Sequence, residues 1–258
     1  MTQQPRQPVV AVNMVTWNAE PFLALCLKSL NAQTYRHWAL FVVDNGSTDR
    51  TVEMIRREVP GATIIQHAHN TGFAPAHNEA IRQTTGQYVL PLNQDIILTD
   101  DFLGNAVAFL EKHPAVAAVQ AKLIRFDFKA GKSRGVIDTT GLVMYKNRRI
   151  VNRGQGELDT NQYKEGEIFG ADGAAPVYRR AALEAVKLAI PGSQEFEYFD
   201  EDFFSYKEDV DLAWRLRLAR LGDRKLRGRK HLLLLDHRLR EAHCQSHELN
   251  GRCLDPDD

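Results

Sequence analysis

Glu208 and Asp209, in the stretch YFDEDFFSYKEDVDLAW, are adjacent carboxylates at the start of a predicted helix, with Phe203, Phe204, Tyr206 and Trp214 close by in sequence. A carboxylate held against aromatic walls loses hydration, and its pKa rises toward the range in which it can take a proton from a hydroxyl. The same acids, with Asp211, would also complement the positive end of a helix dipole, so both roles stay open at this point. A second candidate is YVLPLNQDI, where an apolar run breaks into Asn93-Gln94-Asp95. The chain has neither a G-x-G-x-x-G fingerprint nor a Walker A loop; after the first apolar run it reads TWNAEPF. Phosphates would therefore not be cradled by a glycine loop, and a divalent cation is the natural substitute. Mg²⁺ or Mn²⁺ is content with one or two protein carboxylates when phosphates and water complete its shell, so Asp95 alone can suffice.

These residues need elements to hold them. The β-branched run VVAVNMV predicts a buried strand, and the spacing of Phe22, Cys26 and Leu30, with Leu23 and Leu27 beside them, predicts a helix after it. ALFVVDNGSTD, ATIIQH and YVLPL predict three more strands, separated by helical segments. Alternation of this kind predicts an α/β fold, a Rossmann-like, mainly parallel sheet with helices on both faces. Four strands then end in polar signatures: Thr16-Trp17-Asn18, Asp44-Asn45-Gly46, residues 67–72, and Asn93-Gln94-Asp95. Parallel strands put all four at one sheet edge, where open α/β sheets bind ligands. Singly, each has a plainer reading as a turn or a solvated acid; together they predict a site for a polar ligand of several parts.

Residues 125–170 are rich in Gly, Lys and Arg, and GLVMYKNRRIVNRG predicts a hairpin with its turn at 146–148. The tail after Gly222 is unusual. Residues 215–240 hold ten Arg or Lys against two Asp, and four of the nine histidines, His231, His237, His243 and His247, lie in it. Within the tail only 231–235 reads as a strand. The basic stretch suits either a solvated face or peripheral contact with anionic lipid.

With 258 residues, 43% of them hydrophobic and a formal net charge of zero, the chain has the composition of an ordinary globular protein. A neutral chain gives no reason to expect a nucleic-acid partner. Three scattered cysteines, Cys26, Cys244 and Cys253, form no disulfide framework. With no signal-like start and no run of eighteen apolar residues, the expectation is a cytoplasmic protein.

The ordered set VTWNAEPFLALCLKSLNAQTY, VVDNGSTD, NTGFAPAHNEAI, LPLNQDI, FGADGAAPVYRRAAL and FDEDFFSYKEDVDLAWRLR resembles family 2 glycosyltransferases of the GT-A fold, nearest the bacterial rhamnosyltransferase-like enzymes. The resemblance runs from about residue 9 to 218. It implies a nucleotide-sugar-binding half at 1–125, an acceptor-binding and catalytic half at 126–221 and an atypical tail at 222–258. Thr16 and Asn18 would line the nucleotide pocket, Asp44 would hydrogen-bond the base, and Asn70, Gly72, Phe73 and Asn78 would complete the nucleoside site. Asn93-Gln94-Asp95 stands in place of the family's D-x-D, with Asp95 the metal ligand and Asn93 near the sugar or diphosphate. Residues 170–175 would form the acceptor-side loop, with Asp172 and Gly173; Glu208 and Trp214 fall on that side too, and Asp209 matches the base. The resemblance implies a dTDP- or UDP-linked sugar as donor, with rhamnose the candidate sugar, and as acceptor a glycan or lipid-linked chain in cell-surface polysaccharide synthesis. Relatives continue from this helix into a short strand and a metal-holding histidine. Here the pattern breaks, leaving His237, then His231, as candidates and suggesting a frameshifted or truncated end. A sugar-nucleotide-binding homologue without transfer activity is the alternative; a nucleotidyltransferase, which would want an early basic glycine loop, ranks last.

Overall fold

The computed structural model describes residues 9–222, 231–234 and 242–244. In chain order the elements are β1 (Val10–Thr16), α1 (Glu20–Asn31), β2 (Trp38–Asp44), α2 (Thr51–Glu58), β3 (Thr63–Gln66), α3 (Phe73–Gln83), β4 (Tyr88–Asn93) and α4 (Phe102–Lys112). There follow β5 (Val116–Gln120), β6 (Leu123–Asp127), β7 (Lys132–Thr139), β8 (Leu142–Met144), β9 (Ile150–Asn152) and β10 (Gly166–Glu167). The last are β11 (Val177–Arg179), α5 (Arg180–Glu184), β12 (Leu188–Ala189), β13 (Phe196–Glu197), α6 (Glu208–Gly222), β14 (His231–Leu234) and β15 (Ala242–Cys244).

The main sheet has eight strands in the order β10-β14-β5-β11-β4-β1-β2-β3. The predicted parallel core is β4-β1-β2-β3, every pair of it parallel. Alternate residues feed opposite faces, as a pleated strand requires. Val10, Val12, Met14, Leu90 and Leu92 join one core with Leu23, Cys26, Leu27 and Leu30 of α1 and Leu103 and Leu110 of α4. Val89 and Tyr178 join the other, with Ala74 and Ile81 of α3, Phe199, and Leu212 and Leu216 of α6.

Strand β11 lies antiparallel between β4 and β5. Residues from the second half of the chain thus sit inside the sheet of the first, and the expected boundary at 125/126 falls within β6. The predicted hairpin is present as β8–β9, paired antiparallel. The strand read at 231–235 is β14, parallel to β5. The β6–β7 ladder was not legible in the sequence, and it carries two register shifts that blur its alternation. Among the described residues, no helix is long and apolar enough to cross a membrane.

Candidate active site

The four strand-end signatures do share one edge, because β1, β2, β3 and β4 run in the same direction. Their side chains chiefly bind one another. Thr16 Oγ1 donates to Asp44 Oδ1 at 2.9 Å, and the Ser47 backbone N–H donates to Asp44 Oδ2 at 3.0 Å. The Ser47 hydroxyl also donates to Asp44 Oδ1. Asp44 is 1% exposed, and in this arrangement its carboxylate faces protein donors. Asn18, at φ 46°, accepts the Thr48 N–H through Oδ1 at 2.9 Å and thereby closes the turn after β2 over β1.

Asn45, which sequence reasoning passed over as a turn residue, links the next pair of loops. Its Nδ2 donates to Asn70 Oδ1 at 3.1 Å and to the Gly72 carbonyl at 3.0 Å, and its Oδ1 accepts from Thr71 Oγ1 at 3.0 Å. Gly72 stands at φ 94°, and a Cβ there would come within 2.7 Å of the Phe204 ring. The Phe204 carbonyl in turn accepts the Phe73 N–H at 2.8 Å, capping the start of α3.

Asn78 is fully buried, and all of its polar atoms hold the segment before α6: Oδ1 accepts from the Tyr198 and Phe199 N–H groups, and Nδ2 donates to the Phe199 carbonyl and Glu201 Oε1. Its role in this arrangement is to position that loop.

In the Asn93-Gln94-Asp95 triplet, the middle residue is structural. Gln94 Oε1 accepts the Trp17 N–H at 2.9 Å, joining the ends of β4 and β1. The Asn93 N–H donates to the Ala174 carbonyl at 2.9 Å, which ties the same strand end to the loop carrying Asp172. Asp95 is half-buried at this edge, and its charge, after burial itself, helps push up the pKa of the Cys26 thiol below. Among the described residues, no group of three His, Cys, Asp or Glu side chains could hold a metal ion unaided. One carboxylate beside an amide is a poor zinc site, but it fits a hard cation that draws its other oxygens from a diphosphate and water. His237 lies outside the described residues.

Asn93 also borders a cavity of about 750 Å³, whose lining includes Phe73, Asp172, Gly173, Glu208 and Asp209. The structure thus gathers the expected acceptor-side acids with two of the expected nucleotide-side residues. Trp214 is not among the lining residues and packs edge-on against Phe169 at 5.2 Å. Close approach of α6 depends on Gly170: a Cβ there would lie 2.4 Å from that of Ala213. Leu142 and Gly170 hold the same loop with an N–H to carbonyl bond of 2.8 Å.

Asp209 Oδ1 accepts the Val210 N–H at 2.7 Å and Oδ2 the Gly173 N–H at 3.3 Å. Burial and the nearby Asp172 charge nevertheless raise its pKa to about 6. Glu208 is 5% exposed, its Oε2 has no hydrogen-bond partner, and burial together with the Asp209 charge raises its pKa to about 7. Raised pKa values were expected from loss of hydration, and burial is the first cause, with carboxylate crowding added to it. Of the expected aromatic walls, Tyr206 lines the cavity with the acids, whereas Phe203 and Phe204 are exposed. A carboxylate of this kind, on an open cavity at neutral pH, can act as a general base toward a hydroxyl.

Residues 11–187 match the model of Glycosyl transferase family 2. EpsE of Bacillus subtilis (strain 168) is 31% identical over 124 residues, which are 46% of this chain and 45% of EpsE, so the match spans about half of that relative's length. The fold is similar to S. aureus TarS 1-349, solved in complex with UDP-GlcNAc, with a TM-score of 0.61 and 19% identity over 93% of this chain and 59% of that one. It is also similar to the mannosyltransferase PcManGT from Pyrobaculum calidifontis, solved with GDP-Man and Mn²⁺, with a TM-score of 0.56 and 21% identity over 89% of this chain and 58% of that one. These likenesses give the GT-A fold its structural footing. With the family model matched over more than half its length, the chain belongs to Glycosyl transferase family 2.

Proposed function

We propose that this protein transfers a sugar from a nucleoside diphosphate to a hydroxyl of a glycan or lipid-linked acceptor, inverting the anomeric carbon, in the synthesis of a cell-surface polysaccharide. The observation that carries this reading is Asp209, raised to about 6 on a cavity that Asn93 also borders. In the proposed step, an acceptor hydroxyl lies against Asp209. Its oxygen bonds to the anomeric carbon as the bond from that carbon to the diphosphate breaks, and Asp209 receives the proton. A second acid at about 7, Glu208, limits how much negative charge gathers beside the departing diphosphate near neutral pH. No protein nucleophile is needed for a single displacement.

The donor side is the sheet edge. Asn18 and Asn70 sit on loops fastened by the Asp44 and Asn45 networks, so these loops are fixed before a ligand arrives. Asp95 would hold Mg²⁺ or Mn²⁺, which when bound supplies charge neutralisation at the diphosphate. The rhamnosyltransferase-like resemblance favours a dTDP- or UDP-linked donor, with rhamnose the first sugar to test. TarS was solved with UDP-GlcNAc and PcManGT with GDP-Man, so the base is the first variable.

The test is calorimetric titration of the full chain with UDP, dTDP and GDP, each with and without Mn²⁺. Metal-dependent binding of one nucleotide, lost in Asp95→Ala, is the expected result. Absence of binding by all three would remove the donor assignment.

A further inference from the structure

The cavity has two unlike walls. One carries Asp172, Glu208 and Asp209; the other is the β8–β9 hairpin with Arg149, Asn152 and Gln155. Asn152 Nδ2 donates to Asp172 Oδ2 at 3.1 Å, so the hairpin is fastened to the acidic wall at that point. Its turn places Lys146 and Arg148 next to Arg149, all three exposed.

This turn is defined. The Tyr145 N–H donates to the Arg149 carbonyl at 2.9 Å and the Arg148 N–H to the Tyr145 carbonyl at 2.8 Å, while Asn147 Oδ1 accepts the Arg149 N–H at 3.0 Å. Arg148 takes φ 68°, a conformation that a non-glycine residue adopts at some cost. Among the described residues, none of Lys146, Arg148, Arg149 and the cavity-lining Lys207 forms an ion pair, whereas Arg50, Arg125, Arg215 and Arg217 each do. Tyr145, 53% exposed on the same turn, offers a ring beside the cations.

We infer that the acceptor is an anionic glycan, bearing a phosphate or carboxylate that Arg149 holds, with Lys146 and Arg148 in support, while its hydroxyl reaches toward Asp209. The inference rests on the reading of this cavity as the acceptor side of a glycosyltransferase. Arg149, a hairpin cation lining the same cavity as three carboxylates, orients a ligand with one charged end: the anion is repelled from the carboxylates and drawn to the hairpin, which turns its neutral, hydroxyl-bearing end inward. Arginine presents paired donors that match the oxygens of phosphate and carboxylate alike.

The test is titration of the full chain with glucose 6-phosphate, glucuronate and methyl glucoside, with and without saturating nucleotide, read by calorimetry or ligand-observed NMR. The two anionic sugars are expected to bind about tenfold or more tightly than methyl glucoside, as charge-assisted hydrogen bonds predict. Arg149→Ala should remove most of that advantage, Arg149→Lys should restore part of it, and the Lys146→Ala/Arg148→Ala pair should lower it less. Equal binding of neutral and anionic sugars, or indifference to Arg149→Ala in a folded variant, would overturn the inference. So would displacement of the anionic sugars by nucleotide, which would put them in the donor site. In each of these cases retained nucleotide binding would leave the proposed transferase reading standing. Phosphatidylcholine vesicles carrying phosphatidic acid form the last arm. Binding to them without discrimination among the soluble sugars would assign the cations to a membrane surface and likewise overturn the anionic-glycan acceptor.

Discussion

The sheet edge and the acidic cavity treat buried carboxylates in opposite ways. At the edge, Asp44 is almost wholly inside, yet Thr16 and Ser47 give it three hydrogen bonds. In the cavity, Glu208 is nearly as buried with one oxygen unpartnered, and Asp172 stands close enough to Asp209 to raise its proton affinity. The first arrangement is a fastening, in which polar groups are satisfied and the loops that carry them are fixed. The second crowds carboxylates together in a buried place, where burial and neighbouring charge raise the pKa values of Glu208 and Asp209. A binding edge has to be in place before its ligand, whereas a base has to be ready to accept a proton, and the two needs call for different surroundings.

The largest expected effect comes from cutting the link between these regions. Asn78→Leu removes the partners of two buried N–H groups and a carbonyl, each loss worth about 1–3 kcal/mol, so destabilisation of about 4 kcal/mol is expected. Chemical denaturation measures it, and early proteolysis within 198–204 would locate it. A loss below about 1 kcal/mol would mean that Asn78 is not the anchor described.

Next comes the charge held in the cavity. Glu208 titrates at about 7 in the fold against an ordinary 4.5. An acid with a raised folded pKa subtracts stability once it ionises, so the penalty is absent below about pH 4.5, grows with pH and is complete above about 7. Glu208→Gln should therefore gain up to about 3 kcal/mol relative to wild type between pH 4.5 and pH 8, measured as the difference in unfolding free energy at the two ends. A pH-independent difference would contradict the raised pKa of Glu208. At the sheet edge the counterpart is Thr16→Val, which takes one donor from a buried carboxylate and should cost about 2 kcal/mol at neutral pH.

How much of this was legible in the sequence differs between the two regions for a physical reason. Parallel direction at the edge follows from strands alternating with helices, and the polar ends of those strands announce themselves, so Thr16, Asp44, Asn70 and Asp95 could be placed at one edge from the sequence, although the strand order could not. Their partners could not. Asn45 and Asn78 look like a turn residue and a helix residue, and only the tertiary approach of 70–72 and 198–201 reveals what they hold. In the cavity, adjacency of Glu208 and Asp209 flagged the acids, but Asp172 arrives on a distant loop, whose Gly173 lies 36 residues before Asp209, through the close packing that Gly170 permits. Of the nearby aromatic letters, Tyr206 does line the cavity, whereas Phe203 and Phe204 are exposed and Trp214 packs against Phe169. The fixed cationic turn at 146–149 read only as a hairpin.

The smallest expected effect lies under the edge. His77 is buried between Phe73 and Phe199 with neither ring nitrogen bonded, and burial lowers its pKa to about 3. Because its folded pKa is depressed below the ordinary 6.5, the unfolded chain takes up a proton that the fold does not. Stability should thus decline as pH falls below 6.5, by about 1.4 kcal/mol at pH 5.5, and His77→Leu should flatten that decline.

The central claim is that Asp209 is the base of a transfer reaction. Its direct test is the rate of sugar transfer by Asp209→Asn, measured alongside the variant's affinity for the nucleotide that wild type binds. The account predicts a loss of about 10²–10⁴-fold in rate with nucleotide affinity within about twofold of wild type. Transfer at the wild-type rate would contradict it.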